Sequence, residues 1–163
     1  MLEIKIFNEL EEKLISEGFN ITNKDFTRPW GGFFVIDEAQ CEIFAQQFFN
    51  DLDFKDIKNG LQLSPKILIV LPYKRLSWQY HFRRSEIWKV IHGAAGIVRS
   101  NNDNEGDLEI MNVGSQITLR QGERHRLVGL NEYAVIAEIW QHLDSNNPSN
   151  EEDIVRLQDD FGR

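Results

Sequence analysis

Gln79, His81 and Glu86 stand close together in this chain, and His125 follows in a second short cluster. The first cluster runs Gln79-Tyr80-His81-Phe82-Arg83-Arg84-Ser85-Glu86 and leads to Gly93; the second runs from Gly114 through Arg120-Gln121-Gly122 to His125. One neutral carbonyl oxygen, two imidazole nitrogens and one carboxylate make a donor set for a hard or borderline divalent metal. A single carboxylate leaves such an ion with net positive charge, so it can still act as a Lewis acid. In a strand, alternation puts Gln79 and His81 on one face and Tyr80 on the other. Glu86 must then arrive from the next strand, with Trp88 and Val90 in its phase, and His125 from another hairpin. The alternative is a pair of hydrogen-bonded histidines without metal, and the agreement of four donors in register argues against it. His92 and His142 fall outside the pattern and read as surface or hydrogen-bonding residues.

The elements that must position these donors are short strands. From Lys66 onward, segments 66–70, 77–81, 87–91, 94–99, 107–111, 115–119, 126–128 and 134–140 are apolar or alternating. Asn, Asp and Gly turn signals such as Val113-Gly114 and Gln121-Gly122 separate them. Helices do not alternate with them, so the fold class is all-β, a small barrel or two-layer sandwich. Ahead of the strands, Phe7, Leu10, Leu14 and Ile15 recur at helical spacing and Gly18 ends the run, which predicts a short N-terminal helix covering a sheet. Arg28-Pro29-Trp30-Gly31-Gly32 is a shaped loop. Segment 33–37 reads as a strand, and 42–49 as a second strand that stays open to a helical reading. Segment 50–64 is polar and irregular, and 151–163 is a tail that packs back as a turn and edge segment. The expectation is one domain over 1–163, with a helical lead-in at 1–26, a barrel core at 66–145 and a tail at 150–163.

Composition bounds the function. The 163 residues are enough for one packed core, with 41% hydrophobic and 27% charged side chains as in ordinary globules. A formal charge of −8 disfavours capture of a nucleic-acid backbone. Yet Arg83-Arg84, Arg120, Arg124 and Arg126 flank the donors, which fits a small anionic substrate. Cys41 is the only cysteine, so no intrachain disulfide forms, and a cytoplasmic location is expected. The start lacks the basic and apolar pattern of a secretory leader, and no apolar run approaches the roughly 20 residues of a membrane span. Exposed barrel edges make a homodimer a reasonable expectation.

The two clusters resemble the paired motifs of the cupin superfamily, with Gln79 in place of the usual first histidine and Arg120 in place of a proline. Gln-x-His followed by Glu86 and a later His125 is similar to the zinc set of the type II mannose-6-phosphate isomerase-like family. That family includes small single-cupin members and the isomerase half of bifunctional guanylyltransferases. Arg28-Pro29-Trp30-Gly31, Gly122-Glu123-Arg124-His125-Arg126-Leu127, Glu151-Glu152-Asp153-Ile154-Val155-Arg156 and Asp159-Asp160-Phe161-Gly162-Arg163 carry the same resemblance. Phe82, Arg83 and Ile87 replace histidines frequent in the family, and Trp140-Gln141-His142 also departs from it. The resemblance implies a cupin or jelly-roll β-barrel and a metal held by Gln79, His81, Glu86 and His125. Zinc is the first choice, with manganese, iron or nickel also compatible.

It implies further an aldose–ketose isomerase of a sugar phosphate, with mannose 6-phosphate and fructose 6-phosphate as the expected pair. An isomerase of a free sugar such as lyxose or mannose, or a non-catalytic sugar-binding cupin, are the alternatives. Such an isomerase needs a base beside the carbon-bound proton. Glu138, interrupting the apolar run Ala134-Val135-Ile136-Ala137, is the candidate if it faces the cavity rather than solvent. Lys66 is a candidate for contacting the sugar or the enediolate, or else a surface lysine, and Arg163 joins Glu138 and Lys66 among the catalytic candidates through the family-like ending. Arg83, Arg84, Arg126 and Arg163 are candidates for a phosphate clamp. Trp30, Trp78, Trp88 and Trp140 either wall a sugar pocket or sit in the core. Trp78, in the opposite phase to Gln79, is expected outside the cavity, at an interface or beneath Phe7 and Leu10.

Overall fold

A computed structural model describes residues 1–163 as two antiparallel sheets and three helices. The order is α1 (Leu2–Ser16), β1 (Ile21–Arg28), β2 (Gly31–Ile36), α2 (Cys41–Phe48), α3 (Phe54–Lys58), β3 (Gln62–Val70), β4 (Trp78–Tyr80), β5 (Arg84–His92), β6 (Ala95–Ser100), β7 (Glu109–Met111), β8 (Gln116–Leu119), β9 (Arg124–Gly129), β10 (Ala134–His142) and β11 (Val155–Gln158). The larger sheet runs β1-β2-β3-β10-β5-β8 and the smaller β11-β4-β9-β6-β7. This is the expected all-β jelly-roll barrel with a helix at its N-terminus. No helix is long and apolar enough to cross a membrane.

Strand β10 shows how the layers are built. Val135, Ala137 and Ile139 face a core shared with Phe7, Leu14, Phe34, Phe44 and Ile67, where the helices cover the large sheet. Ala134 and Ile136 face the other way, into a second core between the sheets with Phe33, Leu68, Trp88 and Leu127. A sheet covered on both faces buries each apolar side chain of its central strand, at about 1.5–3 kcal/mol for each Val or Ile. Glu138 continues the Ala134–Ile136 phase and therefore points into the barrel.

Three local expectations change. The lead-in is helical only to Ser16: Gly18, at φ +93°, lets Phe19 N–H reach the Leu14 carbonyl, and β1 begins at Ile21. Residues 42–49 are mostly helix α2, because Cys41, Phe44, Ala45 and Phe48 form one apolar stripe that packs on the sheet. The irregular segment 50–64 contains α3, capped by the Asp53 carboxylate on Lys55 N–H, and the start of β3. The Trp30 loop is held tightly: a Cβ on Gly31 would lie 1.9 Å from the Ile69 carbonyl oxygen, and Leu71 N–H donates to the Trp30 carbonyl. Trp78 is buried on the outer face of its sheet, as its phase requires. It is not beneath Phe7 and Leu10: its indole N–H donates to the Asp103 carbonyl of the β6–β7 loop.

Candidate metal centre

Ligand atoms of His81, Glu86 and His125 converge within 4.8 Å of one another, and all three residues are buried. Adjacent strands bring them there. Gln79 on β4 is paired directly with His125 on β9, and residues opposite one another across two strands share a face. His81 follows at the end of β4, and Glu86 comes from β5 in the facing sheet. His81 Nε2 lies 3.3 Å from Glu86 Oε1, and His125 Nε2 lies 3.7 Å from Glu86 Oε2.

Both rings are oriented from behind. His81 Nδ1 is 2.7 Å from the Asp153 carbonyl oxygen and His125 Nδ1 is 2.9 Å from the Glu123 carbonyl oxygen. A carbonyl only accepts, so each Nδ1 carries the proton and each Nε2 lone pair faces the cluster. His125 Nε2 is buried with no hydrogen-bond partner, the expected state of a nitrogen shaped for a metal. Burial pushes the His81 pKa down to about 4 and also lowers that of His125, so both are neutral ligands at pH 7. Burial alone would raise Glu86, but Arg84, His81 and His125 hold it well below the usual carboxylate range. Gln79 Oε1 accepts from Ser77 Oγ at 2.6 Å while its amide nitrogen lies 3.4 Å from His81 Nε2. A metal takes the oxygen, so the amide must turn over. The Ser77 hydroxyl can accept as well as donate and tolerates either orientation. The donor set therefore fits a divalent ion, with Arg84 as the one competing cation. Its guanidinium donates to Glu86 Oε1 at 2.8 Å, lies 3.2 Å from His81 Nε2, and stacks on the Trp140 ring at 3.7 Å.

Glu138 is 2% exposed and sits between Lys66 and Trp88 in register across β3, β10 and β5. Its two oxygens accept from the Trp88 and Trp140 indoles at 2.7 and 2.8 Å. Trp88 Nε1 also lies 3.0 Å from Glu86 Oε2, so one indole N–H joins the two carboxylates. Burial, reinforced by the Glu86 charge, pushes the Glu138 pKa up to about 8. The solvated reading of Glu138 is thereby excluded. Lys66 is buried too: its ammonium is 2.5 Å from Glu151 Oε1 and lies over the Phe33 and Trp140 rings.

Glu138, Lys66, Arg84, Arg163, Trp30 and Trp88 all line one narrow cavity of about 70 Å³ together with Gln79 and Glu86. Two expected clamp residues lie elsewhere. Arg126 is fully buried on the opposite face of β9, where it donates to the Leu76 carbonyl, to Glu105 and to Gln158. It ties β9 to the tail and cannot reach the cavity. Arg83 is not among the lining residues; its backbone N–H donates to Asp153 Oδ2. Sequence reasoning missed Arg28, Arg156 and Glu151, which do line the cavity. Arg28-Pro29-Trp30-Gly31 and the 151–156 segment were both visible as motifs, but the strand register that turns them inward was not.

The tail supports the cluster closely. Asp153 accepts from Phe82 N–H and Arg83 N–H at 3.0 Å each and from Ser149 Oγ at 2.6 Å, besides placing its carbonyl on His81. Ser149 Oγ and the Asn150 carbonyl in turn accept from Arg84.

Comparison with known proteins follows the same lines. Residues 46–159 match the family model described as mannose-6-phosphate isomerase C-terminal. The chain is 26% identical over 151 residues to mannose-1-phosphate guanylyltransferase of Salmonella montevideo, covering 93% of this chain and 26% of that protein. It is 29% identical over 137 residues to the xanthan biosynthesis protein XanB of Xanthomonas campestris pv. campestris (strain B100), covering 83% of this chain and 23% of that one. The chain thus spans about a quarter of the length of these curated relatives. Among solved structures it superposes on a mutant of Bacillus subtilis oxalate decarboxylase with a TM-score of 0.60 at 13% identity, over 85% of this chain and 32% of that one, a likeness of fold.

Proposed function

The chain belongs to the mannose-6-phosphate isomerase C-terminal family of cupin barrels, and from that premise we propose that it is a metal-dependent aldose–ketose isomerase of a sugar phosphate. Mannose 6-phosphate and fructose 6-phosphate are the expected pair. One observation carries the reading: Gln79 and Glu86 of the buried donor cluster line one cavity with a buried acid of raised proton affinity, Glu138, and the Trp88 indole joins Glu86 to Glu138.

Gln79, His81, Glu86 and His125 would hold the ion, zinc being our first choice. When bound, a divalent ion there supplies Lewis-acid polarisation of the sugar oxygens. The rest falls to the protein. Glu138 moves the proton between C1 and C2, and a pKa near the working pH suits a group that must both take and return it. Trp88 and Trp140 fix the Glu138 carboxylate in place, so little reorganisation is needed as charge moves. Trp30 and Phe33 offer apolar walls that exclude water, and Lys66, ion-paired with Glu151, lines the same cavity as a donor for the sugar oxygens.

A non-catalytic sugar-binding cupin is the second reading. It draws on the ties that Glu138 and Lys66 already have, to two indoles and to Glu151. Metal analysis followed by incubation with free and 6-phosphorylated aldoses in deuterated water separates the two. About one ion per chain with deuterium incorporation at C2 of a phosphosugar supports the isomerase. Full metal loading with no exchange on any sugar refutes it and leaves the binding protein.

A further inference from the structure

Arg156 pairs directly with Gln79 between β11 and β4, and Gln79 pairs with His125 between β4 and β9. The three residues form one row across the small sheet, all turned to the barrel interior. Arg156 is thus one strand outward from the metal donors, at the cavity mouth, and its head is exposed. Two more arginines line the same mouth: Arg28 from the end of β1 and Arg163 from the tail.

These three are used differently. Arg163 is engaged by both oxygens of Asp159, and Arg28 has an acidic neighbour, its Nε lying 3.0 Å from Asp25 Oδ2 though without a hydrogen bond. The Arg156 guanidinium has neither a carboxylate nor any hydrogen-bond partner. Elsewhere on the same sheet Arg99, Arg124 and Arg126 each have an acidic partner. A planar fork of donors, left unpaired beside two like charges at the entrance of an otherwise acidic protein, matches the bidentate geometry of a phosphate group.

We propose that Arg156, flanked by Arg28 and Arg163, is the subsite that reads the phosphomonoester of the substrate at the cavity mouth while the sugar carbonyl end enters toward Gln79. The assignment rests on the sugar-phosphate reading above and replaces Arg83 and Arg126 in that role. Crowding agrees with it: partial burial and the charges of Arg163 and Arg28 lower the Arg156 pKa against the opposing pull of Asp159 and Glu151.

The test uses the metal-loaded protein and inorganic phosphate as the probe, measured by calorimetric titration for wild type, Arg156→Ala, Arg156→Lys and Arg28→Ala. Phosphate affinity should fall about 10–100-fold in Arg156→Ala, the size of losing hydrogen bonds to a charged group. Arg156→Lys should recover part of it as a point charge without the fork. Metal content and thermal midpoint, read on the same samples, exclude misfolding as the cause. In turnover, the loss for a hexose 6-phosphate should fall on KM. If wild type binds no phosphate, or Arg156→Ala binds it as wild type does, the subsite is overturned even where the protein isomerises sugars. If phosphate binding depends on Arg156 but no sugar is turned over, the subsite stands and the isomerase reading fails.

Discussion

Replacing Asp153 by Ala should weaken a site that its side chain never touches. The carboxylate accepts three hydrogen bonds, two from the backbone of the 81–84 turn and one from Ser149. Hydrogen bonds to a charged group contribute about 1.5–3 kcal/mol each, and partners in one network are not additive. The loss should therefore be about 3–5 kcal/mol in the metal-free protein, read by chemical denaturation. The same change loosens the segment whose carbonyl fixes the His81 ring, so metal affinity should fall about 10–100-fold in a chelator-competition titration. Acidity provides a third readout. Burial would raise the Asp153 pKa, but the Ser149 hydroxyl and the Phe82 and Arg83 amides outweigh it and the pKa is lowered from 3.8. A depressed carboxylate pKa contributes stability that is present above the unfolded value and lost as pH falls through the folded one. Wild type should thus lose stability more steeply than the variant below about pH 4. A variant within about 0.5 kcal/mol of wild type, the usual scatter of surface substitutions, and with unchanged metal affinity, would refute a supporting role for the tail.

Two further changes separate the parts of the site. Glu138→Gln should keep its metal, measured by elemental analysis, and lose about 10²–10⁴-fold in proton exchange at C2, the usual contribution of a positioned acid–base group. Arg126→Ala should lower stability by about 2–4 kcal/mol, since it empties the space of a fully buried side chain and removes the donor from the Leu76 and Gln158 carbonyls, and leave phosphate affinity unchanged. A weakened phosphate titration in the folded Arg126→Ala protein would return that residue to the clamp.

The strands from Lys66 onward were legible because turn residues punctuate them at short intervals. The donors were legible because three of them, Gln79, His81 and Glu86, lie close together in sequence, from β4 through a turn to the start of β5. Helix α2 stayed open between strand and helix in the sequence because Ile43, Phe44, Phe48 and Phe49 are β-branched or aromatic. Yet the spacing of Cys41, Phe44, Ala45 and Phe48 carried the helical stripe that packing selects. Strand β1 was hidden by its polar, half-exposed character at the sheet edge. Arg28 and Arg156 could not be read as cavity residues, since only the pairing of Arg156 with Gln79 turns it inward. Arg126 misled for the converse reason: it follows a metal donor in sequence, so alternation sends it to the outer face, where the tail buries it.

That tail strand has a further effect on how the molecule meets others of its kind. β4 is three residues long and carries Gln79, with β9 on one side and β11 on the other. Lifting β11 away would uncover the N–H and C=O groups of β4 as a bare sheet edge directly beside the cluster. Unpaired edges recruit strands from neighbouring chains. The short 155–158 segment is therefore a guard as much as a support, and a cut in the exposed turn at 144–147 would endanger solubility through the same residues that hold the metal donors.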